Sequence, residues 1–120
     1  MSRLFRDQAA VRTLVAVAVI SFASVLQAGV GMGVLAAPTT HTVVISEMKF
    51  APEALTIKRG DTIVWVNKDF FPHTATAQDR SFDSRDIGTN KTWKYVANKN
   101  STFPYICTLH PTMKAALIVK

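Results

Sequence analysis

The sequence predicts an all-β domain, a small sandwich or barrel, over residues 37–120. Short runs rich in β-branched and aromatic residues recur along this stretch, and such residues fit a pleated, half-buried surface. Gly, Pro, Asn and Asp interrupt them at frequent intervals, as in many-stranded sandwiches and barrels. The stretch has no sustained helical period, internal repeat or low-complexity segment.

The chain before this domain has a different character. Residues 1–12 carry Arg3, Arg6 and Arg12 against Asp7, and no charge follows from Thr13 to Pro38. A basic start, an apolar middle and a small-residue end read as a secretory signal over residues 1–36, with Val34-Leu35-Ala36 as the cleavage site. An earlier cut, after Ala28, is a second option. The alternative is an uncleaved anchor, because the uncharged run matches the ~20 residues that span a bilayer. Gly29, Gly31 and Gly33 weaken that alternative. Export places the domain in the periplasm and argues against nucleic acid as a partner.

In the domain, Thr42–Ile45 is β-branched and apolar, and Ala54–Ile57 lies between Pro52 and Arg59-Gly60-Asp61. Thr62–Val66 is the strongest strand, and His73–Ala77 and Thr92–Val96 follow. Trp65 and Trp93 are read as core residues, since large aromatics dominate the packing of small cores. Residues 78–91 are polar apart from Phe82 and Ile87, and read as a loop with one short strand around Phe82. Thr102–Ile106 and Ala115–Val119 flank the stretch Cys107-Thr108-Leu109-His110-Pro111-Thr112-Met113.

That stretch holds the only cysteine, one of three histidines and a methionine, with two residues between successive donors. Cys107, His110 and Met113 can therefore converge on one point. A disulfide scaffold needs paired cysteines, so a lone cysteine in an exported chain calls for another use. A thiolate, an imidazole and a thioether suit copper better than zinc, magnesium or calcium. Blue-copper geometry needs a second imidazole, with Met as a weak axial ligand. Phe70-Phe71-Pro72-His73 supplies one, and His41 is left as a surface residue outside any motif.

With these residues the chain resembles the cupredoxins, most of all the amicyanin, pseudoazurin and plastocyanin branch. The likeness extends through Met48-Lys49-Phe50-x-Pro52 and Lys58-x-Gly60-Asp61-Thr62-Ile63-Val64-Trp65-Val66-Asn67, and so covers the chain after Pro38. It implies a Greek-key β-sandwich holding one type 1 copper ion on His73, Cys107, His110 and Met113. By the same resemblance, the Thr74 N–H donates to the Cys107 sulfur. His110 reaches the surface through an apolar patch that includes Leu109 and Pro111. Three positions depart from the amicyanin pattern: Leu109 stands for Pro, Thr112 for Phe, and Thr74 for an Asn that helps tie the ligand loops together.

The implied function is one-electron transfer between redox partners by an exported monomer that is not an enzyme. The chain carries a net charge of +6, and setting aside Arg3, Arg6, Arg12 and Asp7 leaves +4. Lys91, Lys94 and Lys99 then suggest steering toward a partner with an acidic docking surface. A second reading is periplasmic copper handling without redox traffic, which a looser site would favour. A third is a cysteine enzyme using Cys107 with His110 or His73. It would need an accessible thiolate and a base oriented by a third group.

Overall fold

The computed structural model describes residues 36–120, together with Gly29, Gly31 and Gly33. The expected signal or anchor over residues 1–36 falls otherwise outside the described residues. Strands β1 (Thr40–Ser46), β2 (Lys49–Ala51), β3 (Ala54–Ile57), β4 (Thr62–Asn67), β5 (Thr76–Ala77), β6 (Thr92–Val96), β7 (Ser101–Ile106) and β8 (Lys114–Val119) follow in chain order. They form two four-stranded sheets, ordered β2-β1-β4-β6 and β3-β8-β7-β5. The parallel pairs β1/β4 and β3/β8 require crossovers between sheets, as expected of a Greek-key sandwich and unlike a simple meander.

Alternation decides which faces meet. Along β4, Ile63, Trp65 and Asn67 are buried while Thr62, Val64 and Val66 are half-buried, the period of two expected of a strand. Trp65 is fully buried. Its ring lies 5.7 Å from Tyr105, edge to face, and its Nε1–H donates to the Tyr105 hydroxyl at 3.3 Å. Burial pushes the Tyr105 phenol up to about 12, against the Trp65 hydrogen bond, which acts to lower it.

The strand register gives the domain two ends. β4 runs from Thr62, opposite Val96, to Val66, opposite Thr92, and β7 delivers Ile106 to the same end as Asn67. The donor-bearing segments sit at this end. Lys91 accepts the Asn67 N–H there through its carbonyl, whereas Lys94 pairs with Val64 in mid-strand, and Lys99 lies in the β6–β7 turn beyond Val96. These three lysines thus run the length of one edge strand and do not form a single patch beside the donors.

Several expectations are corrected. β2 was read only as part of a motif, yet Phe50 is buried and packs edge to face on Tyr105 at 4.8 Å. The strand expected over His73–Ala77 shrinks to Thr76–Ala77, with His73 bridging Ile87 alone. The polar run 78–91 causes this by folding back on it and burying Phe82 and Ile87. The bridges there involve Asp83 and Ile87, and no named strand forms around Phe82. Trp93 is only half-buried, because β6 is a sheet edge, and it stacks on Tyr95. His41 is not a free surface residue: its Nε2 lies 2.9 Å from Asp61 Oδ2. The Thr39 N–H, His41 and the Lys58 N–H together lower the Asp61 carboxyl to about 2.

Candidate metal centre

The spacing of the C-terminal donors has a backbone cause. The His110 N–H donates to the Cys107 carbonyl at 3.3 Å, and the Met113 N–H to the His110 carbonyl at 2.9 Å. Two successive turns therefore share His110, and each donor residue stands at a turn end. Pro111 occupies the second position of the second turn, where its fixed φ is favoured. The Cys107 N–H, donating to the Met113 carbonyl at 3.1 Å, closes the loop across its base. Cys107 and Met113 are buried and His110 half-buried.

His73 arrives on a segment held by two side chains that were not singled out from sequence. Asn67 is fully buried; its Nδ2 donates to the carbonyls of Phe71 at 2.7 Å and Ile87 at 2.9 Å, and its Oδ1 accepts the Asp69 N–H at 2.9 Å. Asp69 then holds the ring itself, with Oδ2 2.9 Å from His73 Nε2. The same carboxylate accepts the N–H groups of Glu47 at 2.7 Å and Met48 at 3.0 Å. Those two residues form the β1–β2 turn with φ of 52° and 60°, a left-handed pair usually given to Asn and Gly. Asp69 thus fastens a strained turn and orients His73 with one group. Burial opposes the charge on Asp69, but the Met48 and Glu47 N–H groups and His73 outweigh it and hold the carboxyl below its ordinary value. The available signal was an acid four residues before a histidine.

With Nε2 engaged, His73 presents Nδ1 inward, 3.7 Å from Cys107 Sγ, and His110 Nδ1 lies at the same 3.7 Å. The three donor atoms lie within 4.8 Å of one another. Bonds of about 2.0 Å to nitrogen and 2.3 Å to sulfur, 120° apart, would separate each nitrogen from the sulfur by about 3.7 Å. The spacing and the donor types therefore fit a trigonal copper site. His73, Cys107 and His110 form a candidate copper site. Met113 is placed on the same loop by its backbone and is 3% exposed.

The Thr74 N–H donates to Cys107 Sγ at 3.3 Å, as the resemblance implied. The Thr74 side chain also makes up for the missing Asn. Its Oγ1 accepts the Thr108 N–H at 2.8 Å, so one residue ties the His73 segment to the Cys107 loop twice. A looser site at this position is therefore not what the structure contains. Around this end, Leu109 and Pro111 are exposed, and Phe70 and Phe71 are 92% and 61% exposed. Exposed aromatics of that size mark contact surfaces. Phe71 belongs to the Phe-Pro-His motif, but the sequence reading assigned neither aromatic a surface role.

Residues 13–119 match the family model described as a cupredoxin-like domain. Amicyanin-alpha of Methylorubrum extorquens is 32% identical over 111 residues, covering 88% of this chain and 93% of that protein. The crystal structure of amicyanin from Paracoccus versutus aligns with a TM-score of 0.61 at 28% identity, over 68% of this chain and 81% of that one. The copper-containing nitrite reductase of Thermus scotoductus aligns at 0.65 and 28% identity, over 71% of this chain but 23% of its own. By its ordered motifs, its two-sheet topology and these likenesses, the chain belongs to the cupredoxins, in the amicyanin branch.

Proposed function

We propose that residues 37–120 are an exported, periplasmic one-electron carrier whose copper ligands are His73, Cys107, His110 and Met113. Residues 1–36 serve as the signal that is removed. The observation that carries this reading is the convergence of two Nδ1 atoms on one buried thiol, each at 3.7 Å. A copper ion bound there supplies the Cu(I)/Cu(II) couple.

The residues supply rigidity. Asp69 fixes the His73 ring, Thr74 spans both donor segments, and the double turn sets Cys107 against His110. Donors held this firmly move little when the charge changes, which keeps the reorganisation barrier low. His73 and Cys107 are fully buried, which suits electron transfer better than nucleophilic catalysis by an accessible thiolate. His110, half-buried among the exposed Leu109 and Pro111, is the exit for the electron toward a redox partner protein. Steering by an acidic partner surface would act through net charge, since Lys91, Lys94 and Lys99 lie before, within and beyond β6.

Repeated oxidation and reduction of the copper-loaded protein, with self-exchange followed by NMR line broadening, separates the carrier from the copper-handling reading. A carrier cycles reversibly and keeps its metal. A handling protein loses copper to an apo acceptor faster than it exchanges electrons. Met113→Leu should keep copper and raise the reduction potential, because losing a weak thioether donor would disfavour Cu(II) more than Cu(I). An unchanged potential in that variant would make Met113 a packing residue only.

A further inference from the structure

The polar run that folds back on the His73 segment is one residue too long for regular pairing. His73 bridges Ile87 and Thr76 bridges Asp83, both antiparallel. From His73 to Thr76 is three residue steps, and from Ile87 back to Asp83 is four. The run therefore carries a β-bulge between the two bridges. Arg85 lies in it with a φ of 56°, a conformation that L side chains rarely adopt.

Ser84 restores the ladder across the bulge. His73 exchanges both backbone bonds with Ile87, its N–H donating at 3.1 Å and its carbonyl accepting at 2.7 Å. An unbroken antiparallel ladder would next pair Ala75 with Arg85 in the same way. Instead the Ala75 carbonyl accepts the Ser84 N–H at 3.1 Å, and the Ala75 N–H donates to Ser84 Oγ at 2.7 Å. Ser84 Oγ in turn donates to the Arg85 carbonyl at 2.7 Å. A hydroxyl can accept and donate at once, so this one stands between the Ala75 N–H and the carbonyl that the bulge has displaced. Thr74 lies between these two anchored neighbours and faces the other way. Its N–H meets Cys107 Sγ at 3.3 Å, and its Oγ1 accepts the Thr108 N–H at 2.8 Å.

We infer that Ser84 is a positioning residue for the metal centre. The peptide unit before Thr74 is held through the His73 carbonyl, and the unit after it through the Ala75 N–H. By fixing the second unit, the Ser84 hydroxyl aims both Thr74 contacts at the Cys107 loop. None of its own hydrogen bonds reaches a donor residue. Without the hydroxyl, the N–H of the fully buried Ala75 loses its partner, that unit can rotate, and Thr74 is held from one side only. The competing role for Ser84 is local: it satisfies a buried N–H and does nothing beyond the bulge.

The test compares Ser84→Ala with Ser84→Thr, which keeps the hydroxyl. In the metal-free full chain, amide hydrogen exchange is read at Ala75, Thr74, Thr108 and, as a distant reference, Ile63 near the opposite end of β4. Ser84→Ala should quicken Ala75 by about tenfold or more, because its own partner is gone. Thr74 and Thr108 should quicken by about two- to tenfold, the range for one hydrogen bond. Ile63 should not change, and Ser84→Thr should stay near the original rates at all four. With copper bound, an arm that rests on the proposed function, Ser84→Ala should lower the reduction potential. A weaker N–H contact leaves more charge on the sulfur, which favours Cu(II). Quickening confined to Ala75 would reduce Ser84 to its local role and overturn the inference. Equal quickening at Ile63 would also overturn it, as a general loss of stability. So would a Ser84→Thr variant that behaves like Ser84→Ala, since packing and not the hydroxyl would then be responsible. Failure to bind copper would count against the proposed function, while the metal-free exchange would still decide this inference.

Discussion

Cys107→Ser should abolish the intense visible absorption of the Cu(II)-loaded protein. That absorption arises from charge transfer out of a thiolate, and Cys107 is the only cysteine in the chain. A serine oxygen is a harder donor with lower-lying electrons, so no comparable band can form. The metal-free fold should survive, because the serine can still accept the Thr74 N–H that now reaches Cys107 Sγ at 3.3 Å. Circular dichroism of the apo variant, run beside the visible spectrum, separates loss of a ligand from loss of structure. Equal colour in the two proteins would remove Cys107 from the site.

Asn67→Ala should have the largest effect on stability. Asn67 is fully buried and its side chain answers the carbonyls of Phe71 and Ile87 and the N–H of Asp69. Truncation takes the partner from the Phe71 carbonyl and the Asp69 N–H, at about 1–3 kcal/mol for each that stays dry, while the Ile87 carbonyl keeps the His73 N–H at 3.1 Å. Allowing for partial relaxation, the expected loss is about 3 kcal/mol, a large share of the 5–15 kcal/mol typical of a domain. Urea unfolding of the metal-free protein measures it. Asn67→Asp should be at least as damaging, since it turns acceptor oxygens toward two carbonyls and keeps only the contact to Asp69. A loss under about 1 kcal/mol would mean that water replaces the amide and that this segment is not held as described.

Much of this was legible in the sequence because the signals were local. Ala54–Ile57 and Thr92–Val96 were read with the bounds they have, and Thr62–Val66 fell short by one residue, since alternation and flanking breakers mark a strand directly. The Cys107, His110 and Met113 spacing was read as one short loop, and two successive turns form that loop. What escaped depends on contacts between distant segments. Asn67 and Asp69 look like ordinary loop residues until the β1–β2 turn and Ile87 come round to meet them. Thr74 looked like a weakened tie because its reach to Thr108 spans 34 residues. Phe82 and Ile87 were noted only as exceptions in a polar run, yet both are core residues that shorten the neighbouring strand. Lys91, Lys94 and Lys99 are close in sequence, but a strand rises about 3.3 Å per residue, so closeness in sequence became distance along an edge.

Titration of the protein with Cu(II), followed by visible absorption and electron paramagnetic resonance together, tests the central claim most directly. A buried trigonal site on His73, Cys107 and His110 predicts an intense visible band that saturates at one equivalent. It also predicts a copper hyperfine splitting narrowed by spin delocalised onto sulfur. A colourless complex with the wide splitting of a tetragonal nitrogen and oxygen site would contradict it.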